Sequence, residues 1–370
     1  MKAVDQTSES VRKMKLIHVV GARPNFMKAA PVIAAAGKRP GVNQILVHTG
    51  QHYDFNMSDV FFEQLRMSVP NLNLEVGSGS HAAQTAQTMM CLEPILLEKC
   101  PDMVLVYGDV NSTVAAALVC AKQLIPIAHI EAGLRSGDRT MPEEINRLIT
   151  DQLSDVLLTP SLDADKNLLR EGISAEKIEF VGNVMIDTLV KLLPLVRKPR
   201  ISGLNKNYVL VTLHRPANVD DPLILTKIIY ALSKIGSKIQ VIFSAHPRTC
   251  EQLSRLSLDI EKSSVQFVEP QGYLEFLWLQ QHATIVITDS GGIQEETTYL
   301  GIPCLTVRKN TERPITVSIG TNILVGQDMN LLLSEVEHIL NGTKKLGQIP
   351  PLWDGYAAER IADRIISHKL

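Results

Sequence analysis

The sequence predicts an α/β protein composed of two doubly wound parallel-sheet domains. Its 370 residues exceed the roughly 150 residues of an ordinary single domain. Short apolar runs alternate along the chain with stretches of helical periodicity, which is typical of βαβ units and parallel sheets. Between the two halves, residues 192–207 lose this periodicity and gather Pro, Gly and basic side chains, which indicates a linker.

The predicted strands are short apolar segments bounded by turn residues, and a helical stretch follows most of them. In the first half, helices are predicted at residues 30–37, 85–97 and 112–123. The predicted strands lie at 16–21, 45–50, 103–109, 125–131, 156–160 and 178–182 in the first half, and at 208–213, 241–245, 265–268, 284–288 and 304–307 in the second.

The composition excludes several classes of function. The net charge is −2 and no cluster of Lys and Arg forms a basic stripe, so no nucleic-acid partner is expected. No apolar run approaches the roughly 18 residues that span a bilayer, and residues 1–14, a predicted flexible extension, lack the apolar middle of a secretory signal. The five scattered cysteines form no CxxC pair, which is typical of reduced core thiols. We therefore expect a cytoplasmic protein without a membrane partner.

Reactive side chains are concentrated where the predicted strands end. Ligands of open parallel sheets bind beyond the carboxyl ends of the strands, so these segments predict a functional edge in each domain and a cleft that both share. Strand ends can also be polar only because they are exposed to solvent, but ionisable residues interleaved with glycine favour a functional site. The segments are GARP (21–24), TGQH (49–52), GD (108–109) and EAGLR (131–135), then LHRP (213–216), SAHP (244–247) and DSGG (289–292).

Two segments have the features of phosphate sites. In DSGGIQEE (289–296), two glycines precede a helix whose amino terminus favours an anion. A following Glu could accept hydrogen bonds from a ribose, although an ordinary N-capped helix fits the same pattern. In GARPNFMK (21–28), Arg23 and Lys28 offer positive charge and Pro24 can open a helix. A plain strand-to-helix turn is the alternative there.

Carboxylates follow two consecutive apolar strands. Asp109 follows MVLVYG and Glu131 follows IPIAHI, and consecutive strands of βαβ units are often neighbours. Crowded carboxylates raise the pKa of one of them, as a general acid near neutral pH requires. Each could instead cap the next helix or pair with a nearby arginine. His214, with Arg215 beside it, would face them across the predicted cleft.

Glu143 has two interpretations within MPEEINR (141–147). Thr140 and Glu143 fit the capping box T-x-x-E, and Arg147 at i+4 from Glu143 would give an ordinary helix ion pair. In the functional interpretation, Glu143 and Arg147 face the cleft beside Glu131. The residues alone leave this choice open.

Motifs for cofactors or metals are weak or absent. GSGSHA (77–82) matches the dinucleotide fingerprint G-x-G-x-x-A but follows a polar stretch instead of a buried strand. The pairs His48/His52 and His214/His246 lack an accompanying HExxH or carboxylate pattern, and no Walker A sequence occurs. The sequence therefore predicts an enzyme that uses no cofactor and no metal.

An ordered set of motifs resembles one known family, the non-hydrolysing UDP-N-acetylglucosamine 2-epimerases. The resemblance implies the GT-B architecture, with Rossmann-like domains at residues 15–190 and 205–352 and a deep cleft between them. It also implies a last helix, at about residues 355–370, that packs back on the first domain, and a homodimer. The motifs are GARP…K, TGQH, GD, HIEAGLRSGD, MPEEINR, LHRPAN, SAHP and DSGGIQEE.

The resemblance implies an isomerase whose substrate partner is a UDP-sugar. A base removes the C2 proton of UDP-N-acetylglucosamine (UDP-GlcNAc) while UDP leaves from C1. UDP then re-adds to the 2-acetamidoglucal, after protonation on the opposite face, to give UDP-N-acetylmannosamine (UDP-ManNAc). The alternatives are a GT-B glycosyltransferase and an inactive UDP-sugar sensor, both disfavoured by the set of carboxylates.

Residues 48–58 (HTGQHYDFNMS) resemble a second branch of the family at least as closely as they resemble the best-known bacterial UDP-GlcNAc 2-epimerases. That branch includes the 2-epimerases of UDP-2,3-diacetamido-2,3-dideoxy-glucuronic acid, which is therefore an alternative substrate. Gln51 and His52 match a segment that forms an allosteric UDP-GlcNAc site in some bacterial members, but the residues after them differ.

The family's functional residues match positions in both halves of this chain. By resemblance, Asp109, Glu131 and Glu143 are the catalytic carboxylates, and Arg147 and His214 are the active-site Arg and His. The glycine turn would hold the diphosphate and Glu296 the ribose. The full set of implied UDP-holding residues is Arg23, Lys28, Arg215, Phe276, Ser290, Gly291, Gly292, Glu296 and Arg313.

Overall fold

Two compact units make up the chain, and each is built on one parallel sheet. The first unit comprises Met1–Gly133, Arg139–Val184 and Tyr356–Leu370, and the second comprises Leu134–Asp138 and Met185–Gly355. The computed structural model describes residues 13–50, 67, 69–245, 247–255 and 264–368, with the backbone alone at Arg23 and Pro247. Most of the N-terminal extension and the residues Gln51, His52 and His246 therefore lie outside the described part.

The first sheet has seven described strands, all paired in parallel. They are β1 (Met14–Val20), β2 (Val42–His48), β3 (Leu72–Asn73), β4 (Met103–Tyr107), β5 (Ile127–Ile130), β6 (Val156–Thr159) and β7 (Ile178–Phe180). Their order is β3-β2-β1-β4-β5-β6-β7. The sheet grows in one direction from β1 and then in the other, so β1 and β4 flank the switch point at which ligands of such sheets bind.

The second sheet repeats this plan with six described strands. They are β8 (Tyr208–Thr212), β9 (Gln240–Ser244), β10 (Val265–Val268), β11 (Ile285–Thr288), β12 (Cys304–Thr306) and β13 (Asn322–Leu324). Their order is β10-β9-β8-β11-β12-β13, so β8 and β11 flank the switch point. The predicted fold class, α/β with two doubly wound parallel-sheet domains, is confirmed.

The described helices connect these strands. In the first half they are α1 (Arg23–Gly37), α2 (His81–Lys99), α3 (Asn111–Lys122), α4 (Pro142–Leu153), α5 (Leu162–Arg170) and α6 (Val184–Leu192). The later helices are α7 (Pro216–Val219), α8 (Pro222–Gly236), α9 (Pro247–Arg255), α10 (Tyr273–His282), α11 (Gly291–Leu300), α12 (Pro314–Ser318), α13 (Met329–Leu340) and α14 (Ala357–Ser367). Within the described ranges, no helix combines the length and the apolar composition needed to cross a membrane.

Every predicted strand is present, within a few residues of its expected bounds. Continuous apolar runs predict these strands correctly because both faces of a parallel sheet are covered. All of β4, for example, is buried. The missed strands β3 and β13 are two and three residues long and contain Asn, so they carry no apolar run to detect. The helix predicted from residue 30 begins at Arg23, because Pro24 occupies the first turn, where a missing N–H costs nothing.

The last helix, α14, packs against α1 within the first unit. Glu359 pairs with Lys38 at 2.7 Å and with Arg39 at 3.1 Å, and Asp363 pairs with Arg39 at 2.7 Å. Apolar residues on its other face, among them Ile361, are fully buried. The final segment of the chain therefore belongs to the same unit as the first strand.

All five cysteines have free thiols. Cys120 and Cys304 are buried, and burial raises the pKa of the Cys120 thiol to about 12 and that of Cys304 to about 11. Cys100 and Cys250 are exposed. The expectation of core thiols is therefore wrong for these last two residues.

Candidate active site

Asn25 ties the ends of β1 and β4 together at the switch point of the first sheet. Its side chain is buried, and its Oδ1 accepts hydrogen bonds from the backbone N–H groups of Gly21 and Ala22, both at 3.0 Å. Its Nδ2 donates to the carbonyl of Tyr107 at 2.8 Å. These bonds fix the GARP turn beside the end of β4, where Asp109 lies. Asn25 was not among the predicted site residues, although it lies within the GARPNFMK motif.

Lys28 and Glu131 form a buried ion pair at this edge. Each residue is only 5% exposed, and Nζ of Lys28 donates to Oε2 of Glu131. Gly108 adjoins the pair in a left-handed conformation, with φ +63°. A Cβ there would lie 2.6 Å from Nζ of Lys28 and 3.1 Å from Oε2 of Glu131, so only glycine leaves room for the pair. The predicted UDP contact of Lys28 remains a prediction.

Glu131 itself adopts a left-handed backbone conformation, with φ +70°. For a residue with a side chain, this conformation costs about 1–2 kcal/mol. The backbone N–H groups of Glu131 and Ala132 both donate to the carbonyl of Leu158, at 3.0 and 3.1 Å, which holds the turn. Local strain that the surroundings maintain is a feature of functional sites, so this geometry supports a role for Glu131 beyond capping.

Arg147 lies between two carboxylates and is only 2% exposed. Its Nη1 donates to Oε2 of Glu144 at 3.1 Å, and its Nε lies 3.5 Å from Oδ2 of Asp109 without a hydrogen bond to any described group. The predicted helix ion pair with Glu143 is therefore wrong. Positions i+3 and i+4 share one face of a helix, and the buried Glu144 takes the arginine.

Glu143 does not take part in the predicted capping box. The N-cap of α4 is Met141 instead of Thr140, and no side-chain hydrogen bond from Met141 closes the helix start. Pro142 has no N–H and occupies the first helical position, which moves the cap one residue beyond Thr140. Glu143 is half-buried in the first turn, where a negative charge suits the helix dipole. Its catalytic role remains a prediction.

Asn146 connects α4 to the turn that carries Asp109. Its Nδ2 donates to the carbonyl of Asp109 at 2.9 Å and to Oδ1 of Asn111 at 3.2 Å. Asn146 was not among the predicted site residues, although an Asn within a helix is locally unfavourable and therefore indicates a specific hydrogen bond. Lys28, Asp109, Glu131 and Arg147 thus lie on adjoining, mutually bonded segments of the first unit.

In the second unit, Asp289 orients His214. Asp289 is fully buried and accepts hydrogen bonds from the backbone N–H groups of His214 and Arg215 and from Nδ2 of Asn218, the shortest at 2.9 Å. Nδ1 of His214 lies 3.2 Å from its Oδ1. Burial alone would raise the pKa of Asp289, but the hydrogen bond and charge of His214, with the other donors, lower it overall. Asp289 therefore fixes the imidazole at the switch point.

A buried ion network lies beside the glycine turn. Glu312 is 3% exposed and accepts from Nη2 of Arg308 at 2.7 Å and from Nη1 of Arg313 at 2.6 Å. Burial alone would raise the pKa of Glu312, but these two guanidinium groups hold it well below its usual range. Oε1 of Glu295 lies 2.8 Å from Nε of Arg313. Glu295 is therefore engaged by Arg313, and the Nη2 atom of Arg215 lies 3.9 Å from Glu312.

Gly291 begins α11 directly against this network. A Cβ at Gly291 would lie against Nη1 of Arg313 and 2.7 Å from Oε1 of Glu312, so any larger residue would have to displace these two side chains. Ser290 is the N-cap, yet its side chain makes no capping hydrogen bond among the described residues. The helix therefore starts at an N-cap residue without a side-chain bond, and the diphosphate contact of the glycine turn remains a prediction. Among the described residues, the one atom within 4 Å of a Cβ added at Gly292 is Cε of Met185, at 4.0 Å.

Glu296 is held by two residues of α10. Tyr273 donates through its hydroxyl to Oε1 at 2.8 Å, and Gln280 donates through Nε2 to Oε2 at 2.6 Å. Glu296 is 3% exposed. Phe276, on the same helix, is half-buried against an apolar cluster that also contacts Ile293. The predicted ribose contact thus belongs to a carboxylate whose orientation is already fixed.

Known proteins resemble this chain over most of its length. The family profile described as UDP-N-acetylglucosamine 2-epimerase matches residues 34–366. A UDP-N-acetylglucosamine 2-epimerase of Methanocaldococcus jannaschii is 44% identical over 368 residues, covering 96% of this chain and 99% of the relative. A UDP-2,3-diacetamido-2,3-dideoxy-D-glucuronate 2-epimerase of Pseudomonas aeruginosa is 43% identical over 354 residues, covering 95% and 99%. A crystal structure of the M. jannaschii UDP-GlcNAc 2-epimerase with UDP-GlcNAc and UDP has a TM-score of 0.88 and 42% identity, covering 96% of this chain and 100% of that chain.

Proposed function

This chain belongs to the UDP-N-acetylglucosamine 2-epimerase family of isomerases, and we propose that it interconverts UDP-GlcNAc and UDP-ManNAc by eliminating and re-adding UDP. The observation that carries the proposal is the buried Lys28–Glu131 pair at a left-handed turn beside Asp109. It supplies an oriented carboxylate of the kind that proton removal from carbon requires.

The proposed reaction balances without an external reagent. A carboxylate takes the C2 proton, the C1–O bond breaks, and UDP leaves with the electron pair to give the 2-acetamidoglucal. A proton then returns to C2 on the opposite face, and a diphosphate oxygen re-forms the bond to C1. Because the C2 proton is weakly acidic, loss of the diphosphate must assist its removal, so donors around the leaving group accelerate the step.

We propose a division of roles between the two units. Asp109, Glu131 and Glu143 supply the acid and base groups, and Arg147 supplies positive charge beside Asp109, with its Nε 3.5 Å from Oδ2. In the second unit, the amino terminus of α11 and the side chain of Arg313 bind the diphosphate, as is typical of helix amino termini. Glu296 accepts hydrogen bonds from the ribose hydroxyl groups.

The test is an exchange experiment in D2O, followed by NMR. With UDP-GlcNAc, the expected result is deuterium at C2 together with a signal of UDP-ManNAc. Deuterium must enter because the proton taken from C2 exchanges with solvent before it is returned. Absence of exchange with any UDP-sugar would contradict the elimination mechanism.

The second candidate substrate is UDP-2,3-diacetamido-2,3-dideoxy-glucuronic acid. The relative named for this substrate is 43% identical over 95% of this chain, close to the 44% of the UDP-GlcNAc relative. The same D2O assay with both sugars decides between them. Exchange with the diacetamido uronic acid alone would replace the first candidate and keep the mechanism.

We also propose a homodimer. Apolar side chains are exposed on α2 and α4 of the first unit, including Met90 at 70% and Ile145 at 38%. Ile145 lines a groove between these helices with Met89, which a second copy of the chain would cover. Light scattering after size-exclusion chromatography should give twice the chain mass, and a mass of one chain would contradict the proposal.

The variant Gly291→Ala should weaken UDP binding. The new methyl group would displace the guanidinium of Arg313 from its position against Glu312, so the donors of the diphosphate site would move. We expect the Kd for UDP in calorimetry to rise roughly tenfold, which corresponds to about 1.4 kcal/mol. The matched control is Gly79→Ala, where an added Cβ would lie 3.8 Å from the nearest described atom, Cβ of Ala83. Equal affinities in both variants would contradict the assignment.

A further inference from the structure

A buried pair, His129 and Asp151, lies beneath the two strand ends that carry Asp109 and Glu131. His129 is in β5 and is fully buried, and Asp151 is in the last turn of α4 and is 1% exposed. Nδ1 of His129 lies 2.6 Å from Oδ1 of Asp151. We propose that the pair consists of positioning residues that hold the backbone of both catalytic turns, an inference that rests on the proposed function.

Each member of the pair also bonds to the backbone of one turn. Nε2 of His129 lies 2.8 Å from the carbonyl oxygen of Gly108, the residue before Asp109. Oδ2 of Asp151 accepts from the N–H of Gly133, two residues after Glu131, at 3.1 Å. One continuous chain of hydrogen bonds therefore runs from the Asp109 turn, through the pair, to the Glu131 turn.

Both ring nitrogens of His129 have an oxygen partner. Nδ1 faces Oδ1 of Asp151, and Nε2 faces the carbonyl oxygen of Gly108. The imidazole therefore bridges the carboxylate on α4 and the backbone of the Asp109 turn, and its orientation is set from both sides.

The Glu131 turn needs this support because two of its residues are left-handed. Glu131 has φ +70° and Gly133 has φ +79°, and an added Cβ at Gly133 would lie 2.6 Å from the carbonyl oxygen of Ala164. The backbone around Gly133 is therefore closely confined, and Asp151 accepts the hydrogen bond from the N–H of Gly133. Without that bond, the backbone next to Glu131 can relax and carry its carboxylate away from the position that proton transfer requires.

The first experiment compares kcat and KM for wild type, Asp151→Ala and Asp151→Asn. In Asp151→Ala, we expect kcat to fall roughly 100-fold, because a small displacement of reacting groups can reduce the rate by this factor. The KM and the Kd for UDP should stay near the wild-type values. In Asp151→Asn, the amide oxygen accepts from Gly133 and the amide nitrogen donates to a neutral His129, which still donates to Gly108. All three bonds survive, so kcat should return to near the wild-type value.

The matched control is Asp155→Ala. Oδ2 of Asp155 accepts from the backbone N–H of Ile127 at 2.9 Å, so this variant removes a similar bond at the opposite end of β5. We expect it to keep the wild-type kcat. An unchanged kcat in Asp151→Ala, or an Asp151→Asn variant as slow as Asp151→Ala, would overturn the positioning role.

The second experiment does not depend on activity. Hydrogen–deuterium exchange of the peptide that spans Gly133 should be faster in Asp151→Ala than in wild type, and should remain slow in Asp151→Asn and Asp155→Ala. Equal exchange in wild type and Asp151→Ala would overturn the inference. If wild type fails to epimerise either UDP-sugar, the proposed function is wrong, and the exchange data still decide whether the pair holds the turn.

Discussion

Replacement of Glu131 by Gln is expected to reduce kcat for epimerisation by roughly 10²–10⁴-fold, the usual contribution of a general acid or base. The amide cannot take up the C2 proton, and it leaves the buried ammonium group of Lys28 without its counter-charge. The measurement is the rate of UDP-ManNAc formation from UDP-GlcNAc, together with the rate at which deuterium enters at C2.

The matched control for this prediction is Glu98→Gln. The side chain of Glu98 is 69% exposed at the end of α2 and pairs with its neighbour Lys99, so its neutralisation should leave kcat unchanged. Glu98→Gln should also bind UDP as wild type does, because this exposed carboxylate is not among the implied UDP-holding residues. Deuterium incorporation at the wild-type rate in Glu131→Gln would remove Glu131 from the chemistry.

Loss of the Glu312 carboxylate is expected to give the largest effect on stability. Glu312→Ala leaves Arg308 and Arg313 buried, at 8% exposure each, without the carboxylate that both contact. Removal of one partner from a buried ion pair costs roughly 3–5 kcal/mol. Urea titration should show this decrease in the free energy of unfolding. Glu337→Ala, which breaks an exposed pair with Lys238, is the control and should leave the midpoint nearly unchanged.

The same carboxylate predicts how stability depends on acid pH. The pKa of Glu312 in the folded protein is depressed below its ordinary value of 4.5, so the folded state releases this proton more readily than the unfolded state. Its stabilising contribution is complete above pH 4.5 and is lost as the pH falls towards the depressed pKa. Glu312→Gln should therefore show a smaller loss of stability below pH 4.5 than wild type; parallel curves would contradict this assignment.

The sequence predicted the fold because the signals of a parallel sheet are local. A run such as MVLVY forms the fully buried strand β4. A strand that is covered on both faces requires a continuous apolar run, and this run is visible in the local sequence. Pro24 is suited to a first helical turn for a similarly local reason, although the helix itself was predicted only from residue 30. Short polar strands escaped prediction, since β13 is held in place by its neighbour β12 and has no apolar pattern of its own.

The candidate site was predicted less completely, because the partners of its side chains are distant in the sequence. Lys28 pairs with Glu131 across 103 positions, and no periodicity connects the two residues. The local prediction for Arg147 was a pair with Glu143, but Glu144 and Asp109 surround it in the structure. Burial decided this outcome, because a charge in the interior takes the partner that is buried with it.

By itself, the sequence determined the two α/β domains, because the signals for strands and helices are local along the chain. It also determined which reactive side chains lie at the strand ends, because these residues directly follow the strands in the sequence. Only the tertiary structure decided which of these groups meet. It placed Glu131 in a left-handed turn against Lys28, and it brought His129 and Asp151 together beneath that turn. The physical reason is that the parallel pairing of β4 with β5 and the packing of α4 bring these residues together, and both arise only when the whole sheet has formed.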